Sequence, residues 1–257
     1  MKVLIKKEKT VEVDGKKRVL FGFEKYYVDP SKDFHTQFGM IRKEELSKKP
    51  GSTLKIDSHE FILLDAGFLD DYKHLRRAAQ IIGLKDIGPI ITNTGLNRDS
   101  KVLEAGVGSG ALTCYLAAIV KKVVSFDVDL RSLDTAKENV KRFGYKNVSI
   151  SEGDVYNPST LAATRQKSFD VMVLDVPEPW KAVGTAKKAL KTGGFLVVYV
   201  PNVSQVQELI KGLGESFLVE KTIEVVEREW AVDENRTRPV TKDHSHTGFL
   251  TFVRKLC

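Results

Sequence analysis

The chain of 257 residues contains only two cysteines and three methionines, and it has no long hydrophobic segment. A transmembrane helix needs about 18 or more consecutive apolar residues, and no such run is present. The first ten residues, MKVLIKKEKT, carry charge almost from the start and lack the apolar centre of a signal peptide. We therefore expect a cytoplasmic protein with no membrane contact.

The two cysteines, Cys114 and Cys257, lie far apart in the sequence, and no CxxC pair exists. A zinc site is accordingly not expected, and we predict no bound metal. Cys114 lies within the apolar run ALTCYLAAIV, where a small buried hydrophobic residue is the expected role. A bridge between subunits through Cys257 has no support in the sequence.

Charge and composition indicate a folded, basic protein. Hydrophobic residues make up 42% of the chain and charged residues 29%, which is typical of a globular domain and not of a disordered one. Lysine and arginine exceed aspartate and glutamate by 41 to 34, for a net charge of +7. This excess favours contact with phosphates, but lysine-rich solubility explains it equally well. Candidate phosphate contacts are Arg42, Lys43, Lys48 and Lys49.

Residues 1–71 are predicted to form a small β-rich domain. KVLIKK and EFILLDAGF have the composition of strands, and VEVDGKKRVLFGF predicts a hairpin that turns at Asp14-Gly15. No catalytic constellation is visible in this segment. Its expected role is to grip a substrate or to contact another subunit.

Residues 72–257 show a different pattern, in which apolar strands alternate with segments of helical length. The predicted strands cover 101–106, 122–128, 148–154, 169–177 and 194–201, and the predicted helices 111–120, 132–144, 180–190 and 204–213. This alternation predicts a mostly parallel sheet with helices on both faces. The tail from Thr222 to Lys255 predicts two further strands, added antiparallel to that sheet.

A glycine-rich loop, Glu104-Ala105-Gly106-Val107-Gly108-Ser109-Gly110, joins the first of these strands to a helix. Glycines allow the backbone to turn tightly and to approach a ligand, and the following helix presents free N–H groups to an anion. The spacing is GxGxG and not the GxGxxG of dinucleotide-binding loops, which disfavours a nicotinamide dehydrogenase. A glycine turn that binds no ligand is the simpler alternative.

Carboxylates follow two of the neighbouring strands. Asp127 ends the second strand, where an acid can bind ribose hydroxyls, and Asp154 ends the third, where it can accept a hydrogen bond from an adenine amino group. An acid at such a position is often only a helix cap. We favour a cap or an exposed helix face for Asp129 and Asp134.

The fourth strand ends in the motif Leu174-Asp175-Val176-Pro177-Glu178-Pro179-Trp180. Asp175 can accept a hydrogen bond from an exocyclic amino group, and the prolines stiffen the loop that carries it. For Trp180, packing in the core is a better supported role than a contact in the site.

Together these motifs resemble a known family. The ExGxGxG loop resembles the first motif of class I methyltransferases. VLEAGVGSGALT, VSFDV, LDVPEPW and the tail RTRPVTKDHSHTGFLTFVRK together resemble the tRNA (adenine-N1)-methyltransferases of the T loop, especially the archaeal branch. RRAAQIIGLKD at 76–86 is similar to the segment that precedes the loop in that family, so the resemblance runs from about Arg76 to Lys255.

The resemblance implies a Rossmann-like class I domain with a seven-stranded sheet, S-adenosylmethionine as cofactor, tRNA as substrate and a homotetramer. Its expected product is 1-methyladenosine, at one adenosine or at two adjacent ones. Asp175 would lie at the target base, and Arg238, His246 and Thr247 near the active site. The candidate cofactor-binding residues are Gln80, Glu104, Gly106, Val107, Gly108, Ser109, Gly110, Ala111, Leu112, Asp127, Asp154, Val155 and Asp175.

Two positions depart from the family pattern. Where the family tends to place an aromatic residue or a histidine, two residues before the lysine of a KD pair, this chain has Gly83. Asp127 stands where the family usually has glutamate. Two alternatives stay open: a class I methyltransferase that acts on a protein or a small molecule, and a non-catalytic RNA-binding subunit. The retained glycines and Asp175 argue against the second.

Overall fold

The computed structural model describes residues 1–13, 15–78, 80–164, 168–232, 237–240 and 246–257. The chain divides into two compact units, Met1–Leu75 and Arg76–Cys257. No helix within the described ranges is long and apolar enough to cross a membrane.

The first unit is built from short strands, as expected for a β-rich N-terminal region. Its strands are β1 (Lys2–Lys6), β2 (Lys9–Val13), β3 (Lys16–Phe21), β4 (Glu24–Val28), β5 (Phe34–Thr36), β6 (Gly39–Ile41), β7 (Thr53–Ile56) and β8 (His59–Asp65). Its two helices are α1 (Lys43–Leu46) and α2 (Phe68–Lys73). Four strands form one antiparallel sheet in the order β4-β1-β8-β7, while β2 with β3 and β5 with β6 form separate hairpins. The predicted hairpin at Gly15 is present, and its other turn residue, Asp14, lies outside the described residues.

The second unit contains a larger set of elements. Its strands are β9 (Lys101–Ala105), β10 (Lys122–Asp127), β11 (Val148–Glu152), β12 (Phe169–Leu174), β13 (Leu190–Val200), β14 (Phe217–Glu224), β15 (Trp230–Val232), β16 (Thr237–Pro239) and β17 (Phe249–Lys255). Its helices are α3 (Leu84–Thr94), α4 (Ala111–Ala117), α5 (Leu130–Phe143), α6 (Val183–Ala189) and α7 (Val203–Gly212). Two 3-10 turns cover Pro158–Ala163 and Pro179–Ala182.

Seven of these strands form one sheet in the order β11-β10-β9-β12-β13-β17-β14. The first five are parallel, and β17 pairs antiparallel with both β13 and β14. The expectation of a mostly parallel seven-stranded sheet with an antiparallel addition is thereby confirmed. Because β9 lies between β10 and β12, the chain leaves β9 at the point where the strand order reverses, which is where α/β sheets bind ligands.

The sheet is stable because its central strands are apolar on both sides. Leu103, Met172 and Leu196 are buried on one face of the sheet, and Val102, Val171 and Val197 are buried on the other. Burying each such side chain contributes about 1.5–3 kcal/mol relative to exposure. The central strands therefore provide a rigid base for the loops at their carboxyl ends.

Helix α5 shows how the sequence sets a boundary. Its N-cap Asp129 accepts hydrogen bonds from the backbone N–H groups of Arg131 at 3.3 Å and Ser132 at 3.2 Å. The helix ends at Phe143, and its C-cap Gly144 has φ +72°. Asp129 is thus a helix cap and Asp134 an exposed helical residue, as favoured from the sequence.

Several predicted boundaries differ from the structure. The helix expected over 111–120 ends at Ala117, because the chain must turn before β10 begins at Lys122. The helix expected over 180–190 is a 3-10 turn followed by α6, and the strand expected at 194–201 already begins at Leu190. Strand β14 begins five residues before Thr222, and the ribbon β15–β16 intervenes before β17.

Candidate functional site

A cavity of about 530 Å³ opens where the carboxyl ends of the central strands meet. A second, much smaller space of about 20 Å³ lies beside it and shares four lining residues with it, Gln80, Gly106, Gly108 and Asp175. The structure brings all but one of the predicted cofactor-binding residues to these two spaces. Gln80, Gly106, Gly108, Asp127, Asp154, Val155 and Asp175 line the larger one, and Glu104, Val107, Ser109, Ala111 and Leu112 the smaller.

The exception is Gly110, which lines neither space. It is the N-cap of α4 with φ +72°, and a Cβ there would lie 2.9 Å from the Cβ of Ala136. Glycine is therefore required at this position for close packing of α4 on α5 rather than for ligand contact.

Gly106, the first glycine of the loop, lies directly against the backbone of Asp175. Its φ is +83°, and a Cβ on it would lie 2.0 Å from the backbone oxygen of Asp175. Any side chain would thus displace the loop after β12. The glycine allows the loops that follow β9 and β12 to run side by side, which places Asp175 against the cavity.

Asp127 stands at the end of β10 and holds the glycine loop. Its Oδ2 accepts a hydrogen bond from the Gly108 N–H at 2.9 Å, and its Oδ1 accepts one from the Asp129 N–H at 3.0 Å. Each carboxylate oxygen has a second lone pair. The side chain can therefore still accept hydrogen bonds from a ligand in the cavity.

Glu104 lies beneath the loop and is only 2% exposed. Its Oε2 accepts hydrogen bonds from the hydroxyls of Thr113 at 2.5 Å and Ser125 at 2.6 Å. Burial, together with the nearby charges of Asp175 and Asp127, raises the pKa of Glu104 to about 7, although the two hydrogen bonds lower it. Near neutral pH this carboxyl is a mixture of its protonated and ionised forms.

Asp175 is the first residue after β12, and its N–H donates to the Ala105 carbonyl at 3.0 Å. Burial raises the pKa of its side chain to about 6, and the like charge of Asp127 adds to the effect. At pH 7 it is therefore largely ionised and able to accept a hydrogen bond from an N–H donor.

Asp154 is more exposed than the other three acids and lies two residues beyond the end of β11. Its Oδ1 accepts from the Tyr156 N–H at 2.9 Å, and its backbone oxygen accepts from the Thr160 hydroxyl at 2.6 Å. These bonds fix the turn, and they orient the carboxylate at the rim of the larger cavity.

Asn139 positions the segment before the loop, and the sequence analysis did not single it out. Its Nδ2 donates to the backbone oxygens of Ser109 at 2.8 Å and Arg76 at 2.9 Å, and its Oδ1 accepts from the Arg76 N–H. Ser109 Oγ accepts in turn from the Ala78 N–H at 2.8 Å. A signal was present in the sequence, because Asn139 is a polar residue on the buried face of an amphipathic helix.

Several other lining residues were also not predicted, among them Phe126, Tyr156, Pro177 and Glu178. The Tyr156 hydroxyl accepts from the Glu178 N–H at 3.1 Å, which joins two walls of the cavity. Trp180 is half-buried and lies against Gly212 of α7, away from the lining.

The residues singled out in the tail do not line either space. Thr247 donates to Asp86 at 2.7 Å and accepts from Lys85 Nζ at 2.6 Å, and Lys85 also donates to the Val225 carbonyl at 2.6 Å. Asp86 is fully buried, so the tail is held to the start of α3 by a buried polar network. The segment 241–245 lies outside the described residues.

The other two tail residues lie elsewhere. His246 contacts Glu224 and the Pro201 carbonyl, and its hydrogen bond with Glu224 raises the pKa of its imidazole. Arg238 lies on the ribbon opposite Ala231. Gly83 is the N-cap of α3, so no side chain extends from the place where the sequence departs from the family pattern.

Among the residues that the structure describes, no group of three or more histidine, cysteine, aspartate or glutamate side chains is arranged to hold a metal ion. Cys114 is fully buried, in agreement with a packing role.

Comparison with known proteins shows which family the chain matches. Residues 72–237 match the family described as tRNA methyltransferase complex GCD14 subunit. A relative from Methanocaldococcus jannaschii is 33% identical over 248 residues, covering 86% of this chain and 87% of the relative. Its name is tRNA (adenine(57)-N(1)/adenine(58)-N(1))-methyltransferase TrmI.

Two solved structures share the whole fold. The tRNA (m1A58) methyltransferase TrmI from Aquifex aeolicus is 25% identical with a TM-score of 0.78, covering 100% of this chain and 97% of its own. A structure named as a SAM-dependent O-methyltransferase from Thermotoga maritima is 26% identical with a TM-score of 0.81, covering 100% and 93%.

Proposed function

The chain belongs to the tRNA methyltransferase complex GCD14 subunit family, and from that premise we propose that it transfers a methyl group from S-adenosylmethionine to N1 of an adenosine in the T loop of tRNA. The observation that carries this proposal is the position of Asp175. It follows β12, borders both spaces at the glycine loop and is largely ionised at neutral pH. Two proteins that match 86% and 100% of the chain are named as tRNA adenine methyltransferases.

The residues at the site fit S-adenosylmethionine. The cavity of about 530 Å³ is large enough for a nucleoside with an amino-acid side chain. We assign the ribose to Asp127, the adenine to Asp154 and Val155, and the methionine part to the loop from Gly106 to Leu112. Gln80 borders both spaces, where it can contact the cofactor between these parts.

S-adenosylmethionine supplies a methyl group that is already activated by its sulfonium, so the main task of the protein is alignment. Adenine N1 becomes cationic as it gains the methyl group. The Asp175 carboxylate accepts a hydrogen bond from the N6 amino group and stabilises that developing charge. It need not remove a proton before the attack, and its position against Gly106 fixes the base relative to the loop.

The target adenosine must leave its stack to reach this site. Exposed basic residues position the RNA through its phosphates, and Arg42, Lys43, Lys48 and Lys49 are all exposed on the first unit. Binding should weaken as salt concentration rises. The family match, which begins at residue 72, supports assigning residues 72–257 to the methyltransferase domain and 1–71 to the β-rich domain.

We extend the proposal to a homotetramer, which the family resemblance implies, and to the cytoplasm, which we expect from the absence of a signal peptide or long apolar run in the sequence. Sedimentation of the purified protein should give four times the mass of the 28.8 kDa chain. A single monomeric species would contradict this assembly and leave the proposed reaction untouched.

The reaction is tested by incubating the protein with S-adenosylmethionine and an unmodified tRNA transcript, and by measuring 1-methyladenosine in the digested RNA. Asp175→Ala should lower turnover by about 10²–10³-fold, the usual loss for one well-placed polar group. Asp134→Ala is the matched control, because Asp134 is an exposed carboxylate on α5. Wild-type turnover in Asp175→Ala would refute the role of Asp175.

A second candidate function follows from the Thermotoga maritima structure, whose name specifies an O-methyltransferase. This chain would then methylate a protein or a small molecule at the same site. If the protein binds S-adenosylmethionine but forms no methylated adenosine in any tRNA, this candidate replaces the first. A protein that binds tRNA but not S-adenosylmethionine would instead be a non-catalytic RNA-binding subunit.

A further inference from the structure

The lining of the two spaces is acidic, although the chain as a whole carries a net charge of +7. Of the described residues that line them, five are carboxylic acids and none is lysine, arginine or histidine. Glu178 is neutralised by Lys181 at 2.7 Å. The others are Glu104, Asp127, Asp154 and Asp175, and within the described ranges no salt bridge joins them to a cation.

Three of these acids form what we call the carboxyl cluster: Glu104, Asp127 and Asp175. Two members raise the pKa of another: the charge of Asp127 acts on Asp175, and the charges of Asp127 and Asp175 both act on Glu104. Like charges held this close repel, and burial strengthens the repulsion. A cation brought to the cluster would relieve it.

Among the described residues, the hydrogen-bond partners of Glu104 and the charges that act on it include no cation. From α4 they are Thr113 and Cys114, whose thiol pKa is itself raised by burial and by Glu104. From β10 they are Ser125 and, at the strand end, Asp127, and from the end of β12 Asp175. The ionisation of Glu104 therefore depends on burial, on hydroxyl donors, on other acids and on the ligand.

We propose that the carboxyl cluster selects ligands by charge, so that the cationic methyl donor is favoured over its neutral product, and that Glu104 makes this preference rise with pH. The inference rests on the proposed function, because it assumes that S-adenosylmethionine binds at the glycine loop. In the transfer the bond between sulfur and the methyl carbon breaks and a bond to N1 forms. The positive charge thereby leaves the sulfur for the base, and the cluster loses its attraction for the product.

The size of the effect follows from the fraction of Glu104 that is ionised. With a pKa of about 7, this carboxyl is about half protonated at pH 7. A bound cation favours the ionised form, so the donor should expel up to about half a proton to the buffer at that pH. S-adenosylhomocysteine carries no charge on sulfur and should expel much less.

Titration calorimetry of the wild-type protein with S-adenosylmethionine and with S-adenosylhomocysteine, the two nucleosides, measures this proton release directly. Runs at about pH 6, 7 and 8.5, in two buffers of different ionisation enthalpy, give the affinities and the protons released. The dissociation constant of S-adenosylhomocysteine divided by that of S-adenosylmethionine should rise about tenfold from pH 6 to 8.5. This is the size expected when the single charge of Glu104 acts on the sulfonium at an intermediate effective dielectric constant. Equal pH dependence and equal proton release for the two nucleosides would overturn the inference.

Glu104→Gln removes the charge and keeps a carbonyl oxygen that can accept from Thr113 and Ser125. In this variant the ratio should no longer change with pH, and the additional proton released by the donor should disappear. Titration of the nucleosides' own amino groups is common to both proteins and cancels in the comparison. Asp134→Asn, a change of an exposed carboxylate on α5, should behave as the wild type.

The outcomes separate the inference from the proposed function. If neither nucleoside binds the wild-type protein at any pH, the proposed function fails and the inference fails with it. If both bind without the difference in protons, the inference fails alone. Should Glu104→Gln not fold, the proton measurement on the wild-type protein decides.

Discussion

Gly106→Ala is the substitution for which the structure gives the sharpest expectation. The added Cβ would lie 2.0 Å from the backbone oxygen of Asp175 and 2.8 Å from its carbonyl carbon. These atoms belong to the backbone of the loop after β12, and the Asp175 N–H is bonded to the Ala105 carbonyl. The overlap cannot be relieved by rotating a side chain, so the two loops must move apart.

Two contributions add to the cost of this substitution. A non-glycine residue at a φ of +83° costs about 1–2 kcal/mol. Forcing an extra carbon into a packed site costs about 1–3 kcal/mol more. The free energy of unfolding should therefore fall by about 2–5 kcal/mol. Gly144→Ala is the matched control, because Gly144 has φ +72° and nothing within 4 Å of an added Cβ, so only the first contribution applies.

Equilibrium urea unfolding of the two variants measures the difference between them. Calorimetry with S-adenosylhomocysteine should show a loss of affinity of about 100-fold or more in Gly106→Ala, because the displaced loop lines both spaces. Gly144→Ala should bind as the wild type. If Gly106→Ala unfolds within about 0.5 kcal/mol of Gly144→Ala and binds normally, the steric reasoning is wrong.

Three further predictions concern titration, reactivity and stability. The value of kcat/KM should fall as pH drops below about 6, because protonated Asp175 loses the negative charge that stabilises the cation developing on the base; a profile that is flat through this range would contradict the assignment. Burial raises the pKa of Cys114 to about 12, so a thiol reagent should modify only Cys257 in the native protein and a second thiol after unfolding. Thr247→Val should lower the free energy of unfolding by about 1–3 kcal/mol, because Asp86 is buried and loses a donor; an unchanged urea midpoint would show that the network does not stabilise the fold.

The parts of the fold that could be predicted from the sequence depend on patterns within short segments of the chain. The alternation of strands and helices, the glycines at 106 and 108 and the acids at 127 and 175 each follow from the properties of short segments. Because parallel strands end at one edge of a sheet, such residues are brought together whatever the details of packing. The structure accordingly places them around one opening.

What the sequence left open depends on pairs of residues that are distant along the chain. Lys85 and Thr247 are separated by 162 positions, and their contact exists only because the segment after β14 returns beside α3. Asn139 and Arg76 are 63 positions apart. The burial of Glu104 likewise results from the strands on either side of it, so its raised pKa could not be inferred from the motif alone.

The position of β17 in the sheet has a consequence for how the protein is made. In the sheet β14 pairs with β17, and β17 follows it in the chain after the ribbon β15–β16. During translation β14 therefore leaves the ribosome before the strand that will pair with it, and β13 stays an edge strand until then. Unpaired edges are prone to associate with other chains. The nascent protein thus passes through an interval in which two strands lack their partner, and association with other chains would begin at these two edges until β17 pairs with both.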